Sequence, residues 1–363
     1  MMMSSSNAKY TALDGPPPVV QGVPIAGAAA PSVDAVPLID ATTASMLGGT
    51  NAFSIVQRPS LTEAFCPACE RSNIYDVFDG TTGAHLFIAK ERSEALWRCC
   101  CAPGHRMFVE FKTAQAVGFN PMLGSIVDID TLPTVLTMER DGCPSKPCLG
   151  CFACCDPCKD GMALHAGPLN PEMRAGALMQ ANPACVGFAT QPAFGGGLAP
   201  TINLMERAEP HRSAYNALAK VEGPTCFGGC LELCHSTTFK VSRMQPAQLE
   251  SRLEVADLAT IVKRKPNSLE GALREMVTDA DVYTIVFNPG AALAPQQKAT
   301  MLAGLLLADY MFFERDDPMC GNGGCNLCLC HCAGCVCPCS IRGNASGGGG
   351  AGGGGGGGFM ADQ

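Results

Sequence analysis

The run from Ala299 to Phe313 is the longest apolar stretch of the chain, with Asp309 as its single charge, and it limits the fold more than any other feature. Its ~15 residues reach about 22 Å as a helix, against a hydrocarbon core of ~30 Å. Asp309 would need a partner inside lipid, where an isolated carboxylate is expensive, and Gly304 suits lipid badly as well. A helix that is hydrophobic nearly all round has to be enclosed by something. Enclosure by protein is the expectation, with Leu302, Leu305, Leu306 and Phe312 as core contacts. Asp309 then lies near a rim, where it can accept hydrogen bonds.

What could enclose it is written in short β-prone runs that begin at Asn73. Ile74, Tyr75, Val77 and Phe78 precede the turn Asp79-Gly80-Thr81-Thr82-Gly83, and Leu86-Phe87-Ile88 follows, which reads as a hairpin. Further strands are expected at Met107–Lys112, Thr134–Met138, Val186–Gln191, Thr201–Met205, Thr237–Val241 and Tyr283–Phe287. This spacing fits an antiparallel sheet or barrel, so the chain reads as mainly β. Strands do not alternate with helices, and no glycine-rich phosphate loop follows a strand, which disfavours a nucleotide-dependent mechanism.

The 363 residues, 47% of them apolar, suffice for one barrel-sized domain with tails. Residues 1–50 read as a Pro/Ala-rich disordered arm, 51–315 as the barrel with its central helix at 299–313, 316–340 as a Cys-rich segment and 341–363 as a Gly-rich disordered tail. The arm, with Pro16-Pro17-Pro18, is a candidate ligand for Pro-motif-binding domains, although flexible spacing is the commoner use. The net charge of −8 comes without a basic stripe, so nucleic acid is not expected as the main partner. The densest basic run, Lys263-Arg264-Lys265, reads as a solvated turn, with an import signal or headgroup patch as the alternative.

Met1 to Tyr10 lacks the layout of a secretory signal, and Met2 stands where myristoylation needs Gly, so synthesis is expected to begin and stay cytosolic. The 23 cysteines are then not expected to be mainly disulfides. Acylation, metal binding and burial remain as their uses.

Several segments, taken in order, resemble successive motifs of the phospholipid scramblase family. They are Asn73-Ile74-Tyr75-Asp76-Val77 with its hairpin, Arg98-Cys99-Cys100-Cys101-Ala102-Pro103, Met138-Glu139-Arg140, and Cys151-Phe152-Ala153-Cys154-Cys155-Asp156-Pro157-Cys158. Pro183 through Gln191 and Val221-Glu222-Gly223-Pro224-Thr225-Cys226 continue the series. The most specific part is Leu273-Arg274-Glu275 through Thr278-Asp279-Ala280-Asp281, followed by Asp309-Tyr310-Met311-Phe312-Phe313-Glu314. The resemblance covers roughly residues 70 to 315. It implies the tubby-like fold, a twelve-stranded antiparallel barrel around a C-terminal hydrophobic helix. It also implies movement of phospholipids between leaflets at the cytoplasmic face of the plasma membrane, energy-independent and calcium-responsive, without a covalent reaction. The rival reading is a membrane-anchored lipid- or protein-binding regulator that carries no headgroups across. A barrel plugged by an apolar helix offers no hydrophilic path, so scrambling would need oligomerisation, with a homo-oligomer as candidate partner, bilayer distortion or exposure of the helix.

The resemblance places the family's calcium segment on the loop starting at Asp279. Asp279 and Asp281 fill the first and third positions of a Ca2+ loop, but Gly290 stands where a terminal carboxylate is needed. The bland alternative is that both aspartates cap a strand turn. It also places the acylated box on Cys151, Cys154, Cys155 and Cys158. Clustered thiols near a membrane suit thioester acylation, since stable anchoring takes two or more chains; metal binding and burial are the alternatives. The cysteines from Cys320 to Cys339 lie outside the family pattern. There Cys325, Cys328, His331 and Cys332 form a candidate Zn2+ set, and a second acylated patch is the competitor. No Ser/His/Asp or Cys/His pairing supports a hydrolase.

Overall fold

A computed structural model describes residues 39–58, 72–101, 104–114, 128–146, 149, 152–169, 184–208, 215–244, 257–265, 281–314, 320–321 and 324–342. The strands in chain order are β1 (Ala52–Gln57), β2 (Ile74–Asp79), β3 (His85–Arg92), β4 (Met107–Thr113), β5 (Thr134–Arg140), β6 (Gly161–Ala166), β7 (Cys185–Thr190), β8 (Thr201–Arg207) and β9 (Tyr215–Glu222). They continue with β10 (Cys226–Phe227), β11 (Thr237–Arg243), β12 (Asp257–Lys263), β13 (Val282–Phe287), β14 (Cys320–Gly321), β15 (Gly324–Cys332) and β16 (Cys335–Arg342). Twelve of them close an antiparallel barrel in the order β1-β13-β12-β11-β9-β8-β7-β6-β5-β4-β3-β2, and β10 stands outside it with β14, β15 and β16.

Closure is made by β1, which pairs with β13 on one side and β2 on the other, so the sheet has no free edge. The expected hairpin is β2–β3, with Val77 opposite Phe87. Along β1, Phe53 and Ile55 are buried while Ser54 and Val56 are less so, the period-2 pattern of a strand with one face on a core. Phe53 meets Phe287 of β13 edge-to-face at 5.3 Å.

The lumen is filled by a helix from Pro295 to Ala308 that continues into a π turn, Asp309–Phe313. Every residue from Lys298 to Ala308 is buried. Leu302, Leu305, Leu306 and Phe312 are all core residues, as expected for an enclosed apolar helix. Pro295 occupies the first helical position, where its missing N–H is no loss. The helix approaches β7 so closely that a Cβ on Gly187 would lie 2.6 Å from both the Met205 carbonyl oxygen and Thr300 Oγ1. Among the described residues, no helix is long and apolar enough to cross a membrane; this leaves strands out of account.

Three boundaries differ from the expectation. The central helix begins at Pro295 rather than Ala299. Residues 41–49, assigned above to the disordered arm, form a helix capped by Asp40, whose carboxylate accepts from the Thr43 N–H at 2.9 Å. Ile39 and Leu47 of this segment join the core, and Lys298 Nζ donates to the carbonyl oxygens of Gly48 at 2.9 Å and Thr50 at 2.7 Å. A cation on the last carbonyls of a helix satisfies acceptors that have no intrahelical partner. The Cys-rich segment is a β-hairpin that runs to Arg342, two residues into the stretch read as tail. The remaining arm and tail lie outside the described residues.

Candidate functional site

At the C-terminal end of the central helix the apolar filling gives way to a polar cluster. Asp309 is buried, not at a rim as expected. Its Oδ2 accepts from Tyr75 Oη at 2.9 Å, and its Oδ1 is hydrogen-bonded by Tyr283. Tyr283 Oη also lies 2.9 Å from Asp281 Oδ2, which takes Lys263 Nζ at 2.7 Å. Glu232 completes the group, with Oε2 at 3.0 Å from Lys263 Nζ. The Lys263 ammonium rests 4.2 Å above the Phe313 ring.

The tyrosine has one proton to give and two carboxylates to satisfy. The arrangement closes if Asp309 is protonated and donates to Tyr283, which then donates to the Asp281 carboxylate, itself paired with Lys263. Electrostatics agree. Burial, and next the negative Asp281, push the Asp309 carboxyl up to about 7, against the Tyr283 hydrogen bond and the Lys263 charge. Burial opposes the charge on Lys263, yet Asp281 and Glu232 hold it firmly positive.

The structure thus gives Asp281 an ammonium partner within a buried cluster. A calcium ion using Asp281 has to displace Lys263. Asp279 lies outside the described residues. Lys263, expected in a solvated turn, is instead buried at the end of β12, while Arg264 donates to Thr284 Oγ1 at 2.8 Å and Lys265 is exposed. Sequence reading missed Lys263, Glu232, Tyr75 and Tyr283 as one site; the available signal was a tyrosine two residues after an acid on a core-facing strand.

The cysteine box occupies the connection between β5 and β6. Phe152 and Ala153 both take left-handed backbone conformations, with φ of 53° and 43°, which turns Ala153 inward and leaves Phe152 53% exposed. Cys154 and Cys155 are exposed, Cys158 is half-buried, and the three sulfurs lie within 4.8 Å of one another. Cys155 Sγ stands 3.3 Å from Cys158 Sγ, and the Cys158 thiol holds Cys155 below the ordinary thiol value. Lowered basicity gives more thiolate, the nucleophilic form. Cys151 lies outside the described residues. Among those described, Cys101 and Cys143 form the one disulfide.

The third cluster is on the hairpin of β15 and β16. Strand alternation puts Leu329 and His331 on the buried inner face, and Cys328, Cys330 and Cys332 on the outer face. His331 packs edge-on against Phe312 at 6.0 Å. The expected quartet Cys325, Cys328, His331 and Cys332 is therefore not gathered: His331 faces the barrel, and Cys325 stands opposite Ile341, four register pairs from Cys330. Instead, Cys226 of β10 joins Cys328 and Cys330, with all three sulfurs within 4.8 Å of one another.

A family model described as Scramblase matches residues 207–315, the stretch from the end of β8 through the central helix, which carries Glu232, Lys263, Asp281, Tyr283 and Asp309. Human phospholipid scramblase 2 is 26% identical over 247 residues, covering 68% of this chain and 62% of the relative. Human phospholipid scramblase 1 is 25% identical over 246 residues, covering 68% and 58%. The mouse phospholipid scramblase 1 is 25% identical over 250 residues, covering 68% and 56%. The chain thus spans about three fifths of the length of these relatives. No solved structure matches.

Proposed function

We propose that this chain is a phospholipid scramblase, which moves phospholipids between the leaflets of a bilayer without nucleotide and without covalent chemistry; the Scramblase model match over residues 207–315 and the similarity to human phospholipid scramblase 2 support this reading. It acts at the cytoplasmic face of the plasma membrane. The observation that carries the membrane part of this reading is the β5–β6 loop, where two exposed thiols and a half-buried one stand beside an exposed Phe152. Acyl chains on Cys151, Cys154, Cys155 and Cys158 anchor the chain, and Phe152 adds apolar area to the same face. Calcium acts weakly at Asp279 and Asp281, because so few carboxylates give millimolar affinity at best and the ion competes with Lys263 for Asp281.

A second reading is favoured by the filled lumen: a closed barrel occupied by an apolar helix has no hydrophilic path of its own, which suits a lipid- or protein-binding regulator. Liposomes carrying a fluorescent phospholipid and the reconstituted protein separate the two. Under dithionite, a scrambler quenches both leaflets, faster with millimolar calcium than with chelator. Quenching that stops at the outer leaflet in both conditions leaves the regulator.

Anchoring has its own test. Replacing Cys151, Cys154, Cys155 and Cys158 together with Ala is expected to move the protein to the soluble fraction and to remove a hydroxylamine-sensitive acyl label. Unchanged membrane association in the quadruple variant would sink the acyl anchor.

A further inference from the structure

The hairpin cysteines carry an inference independent of lipid movement. In register, Cys226 stands opposite Cys330, Cys328 opposite Cys339, and Cys330 opposite Cys337, so strands β10, β15 and β16 bring their thiols to one outer face. Cys226, Cys328 and Cys330 have their sulfurs within 4.8 Å of one another, and Cys339 reaches this group through Cys330. Cys226 and Cys330 are 3.0 Å apart, Cys330 and Cys339 are 3.1 Å, and Cys328 and Cys330 are 3.9 Å. A tetrahedral zinc tetrathiolate, with Zn–S of about 2.3 Å, has sulfurs about 3.8 Å apart. Relative to that spacing, Cys226 and Cys339 lie about 0.8 and 0.7 Å too close to Cys330, and Cys328 is already at it.

We infer that Cys226, Cys328, Cys330 and Cys339 form a structural zinc site that staples the hairpin to β10. Binding one Zn2+ forms four Zn–S bonds and releases four protons to solvent.

Beyond the thiols, the hairpin is held by backbone hydrogen bonds from His331 N–H to the Thr225 carbonyl, Cys230 N–H to the Asn326 carbonyl and Ala333 N–H to the Gly197 carbonyl, and by few apolar contacts. β10 contributes two residues, paired as Cys226 with Cys330 and Phe227 with Leu329. The inner face adds Leu329, His331 and Val336 against the cluster of Phe227, Phe312 and Phe313. So small an apolar area is the situation in which a metal commonly supplies the missing stability. The staple holds a cover over the end of the central helix, where Phe312 and Phe313 lie.

The test uses the full chain with the central box removed (Cys151, Cys154, Cys155 and Cys158 to Ser), so that its thiols do not contribute. Purified under reductant, the protein is loaded with Zn2+ and freed of excess metal, and the bound zinc is counted by mass spectrometry. Cd2+ serves as a second probe through its thiolate charge-transfer absorption. One equivalent is expected. Cys226→Ser and Cys330→Ser should each weaken retention at least tenfold, while Cys325→Ser and Cys332→Ser leave it unchanged. Maleimide mapping of the unsubstituted cluster should show Cys226, Cys328, Cys330 and Cys339 protected by zinc and labelled after chelation, a readout that does not depend on any hairpin variant folding. Retention unaffected by Cys226→Ser, dependence on Cys325 or Cys332, or the four cysteines found as disulfides or acyl thioesters in metal-replete protein would each overturn the site.

Discussion

An Asp160→Ala protein is expected to lose about 3–5 kcal/mol of stability, enough to leave much of it unfolded under mild conditions given the ~5–15 kcal/mol available to a domain. Arg140 at the end of β5 and Asp160 just before β6 are 2% and 3% exposed. Arg140 Nε lies 3.0 Å from Asp160 Oδ1, and a second guanidinium nitrogen lies 2.5 Å from Oδ2, a fork-on-fork pair. Burial works against the Arg140 charge, and Asp160 outweighs it, leaving the guanidinium more basic than in water. Asp160 Oδ1 also accepts from the Gly161 N–H at 2.8 Å, and the Asp160 carbonyl oxygen accepts from the Gln191 N–H at 2.9 Å, which ties β5, β6 and β7 together where the cysteine loop leaves the barrel. Removing the carboxylate strands a buried cation. A paired change, Arg140→Met with Asp160→Leu, should recover most of the loss, because an apolar pair carries no desolvation penalty. Urea midpoints of the three proteins decide it: a loss under 1 kcal/mol for Asp160→Ala would show that solvent or another acid already serves Arg140.

The second large effect is on the pH dependence of stability. In the unfolded chain Asp309 titrates near 3.8, and in the barrel it is held at about 7. The native state therefore binds this proton more tightly, and between those values the unfolded state has released it while the native state has not. Stability from this group is fully present below pH 4, falls as pH rises towards 7, and stays low above, with a slope of at most about 1.4 kcal/mol per pH unit. The groups around Asp309 come from every packed element: Tyr75 from β2, Lys263 from β12, Asp281 just before β13, Tyr283 from β13, Glu232 from the short helix Leu231–Cys234, and Glu314 after the π turn. Glu314, raised first by burial and then by Asp309, acts with the same sign, and so does Glu232, raised first by burial. Asp76, Glu91 and Glu139 are lowered overall and act with the opposite sign. The difference between wild type and Asp309→Asn isolates the one carboxyl. The amide can accept from Tyr75 and donate to Tyr283, so the variant should match or exceed wild-type stability at pH 8 and lose that advantage by pH 4. Equal destabilisation of Asp309→Asn at pH 5 and pH 8 would mean that Asp309 is ionised in the native state across the range.

Reading from sequence succeeded where one segment's own pattern settles its fate. The all-round apolarity of residues 299–313, with a length short of a bilayer, required enclosure, and the helix is enclosed. The hairpin β2–β3 was legible because a turn with two glycines separates two runs of aliphatic and aromatic residues. Four barrel strands were not picked out. β6, Gly-Met-Ala-Leu-His-Ala, and β9, Tyr-Asn-Ala-Leu-Ala-Lys-Val-Glu, are rich in residues that favour helices, and only pairing on both sides makes them strands. β1 alternates cleanly but adjoins the Pro-rich arm, and β12 ends in the Lys263-Arg264-Lys265 run that reads as a solvated turn.

The sites divide in the same way. Sequence alone determined that the thiols cluster and that Asp309 needs a partner, since each follows from density or charge within a few residues. Only the tertiary structure decided who the partners are. Barrel closure sets Asp281 beside Lys263, and Tyr75 and Tyr283 around Asp309. The register of β15 on β10 brings Cys226 to Cys330 across more than a hundred residues of chain and turns His331 away from the thiols. The physical reason is the period of two along a strand: spacing within β15 says which residues share a face, but which distant strand that face meets is fixed by hydrogen-bond register, a property of the assembled sheet.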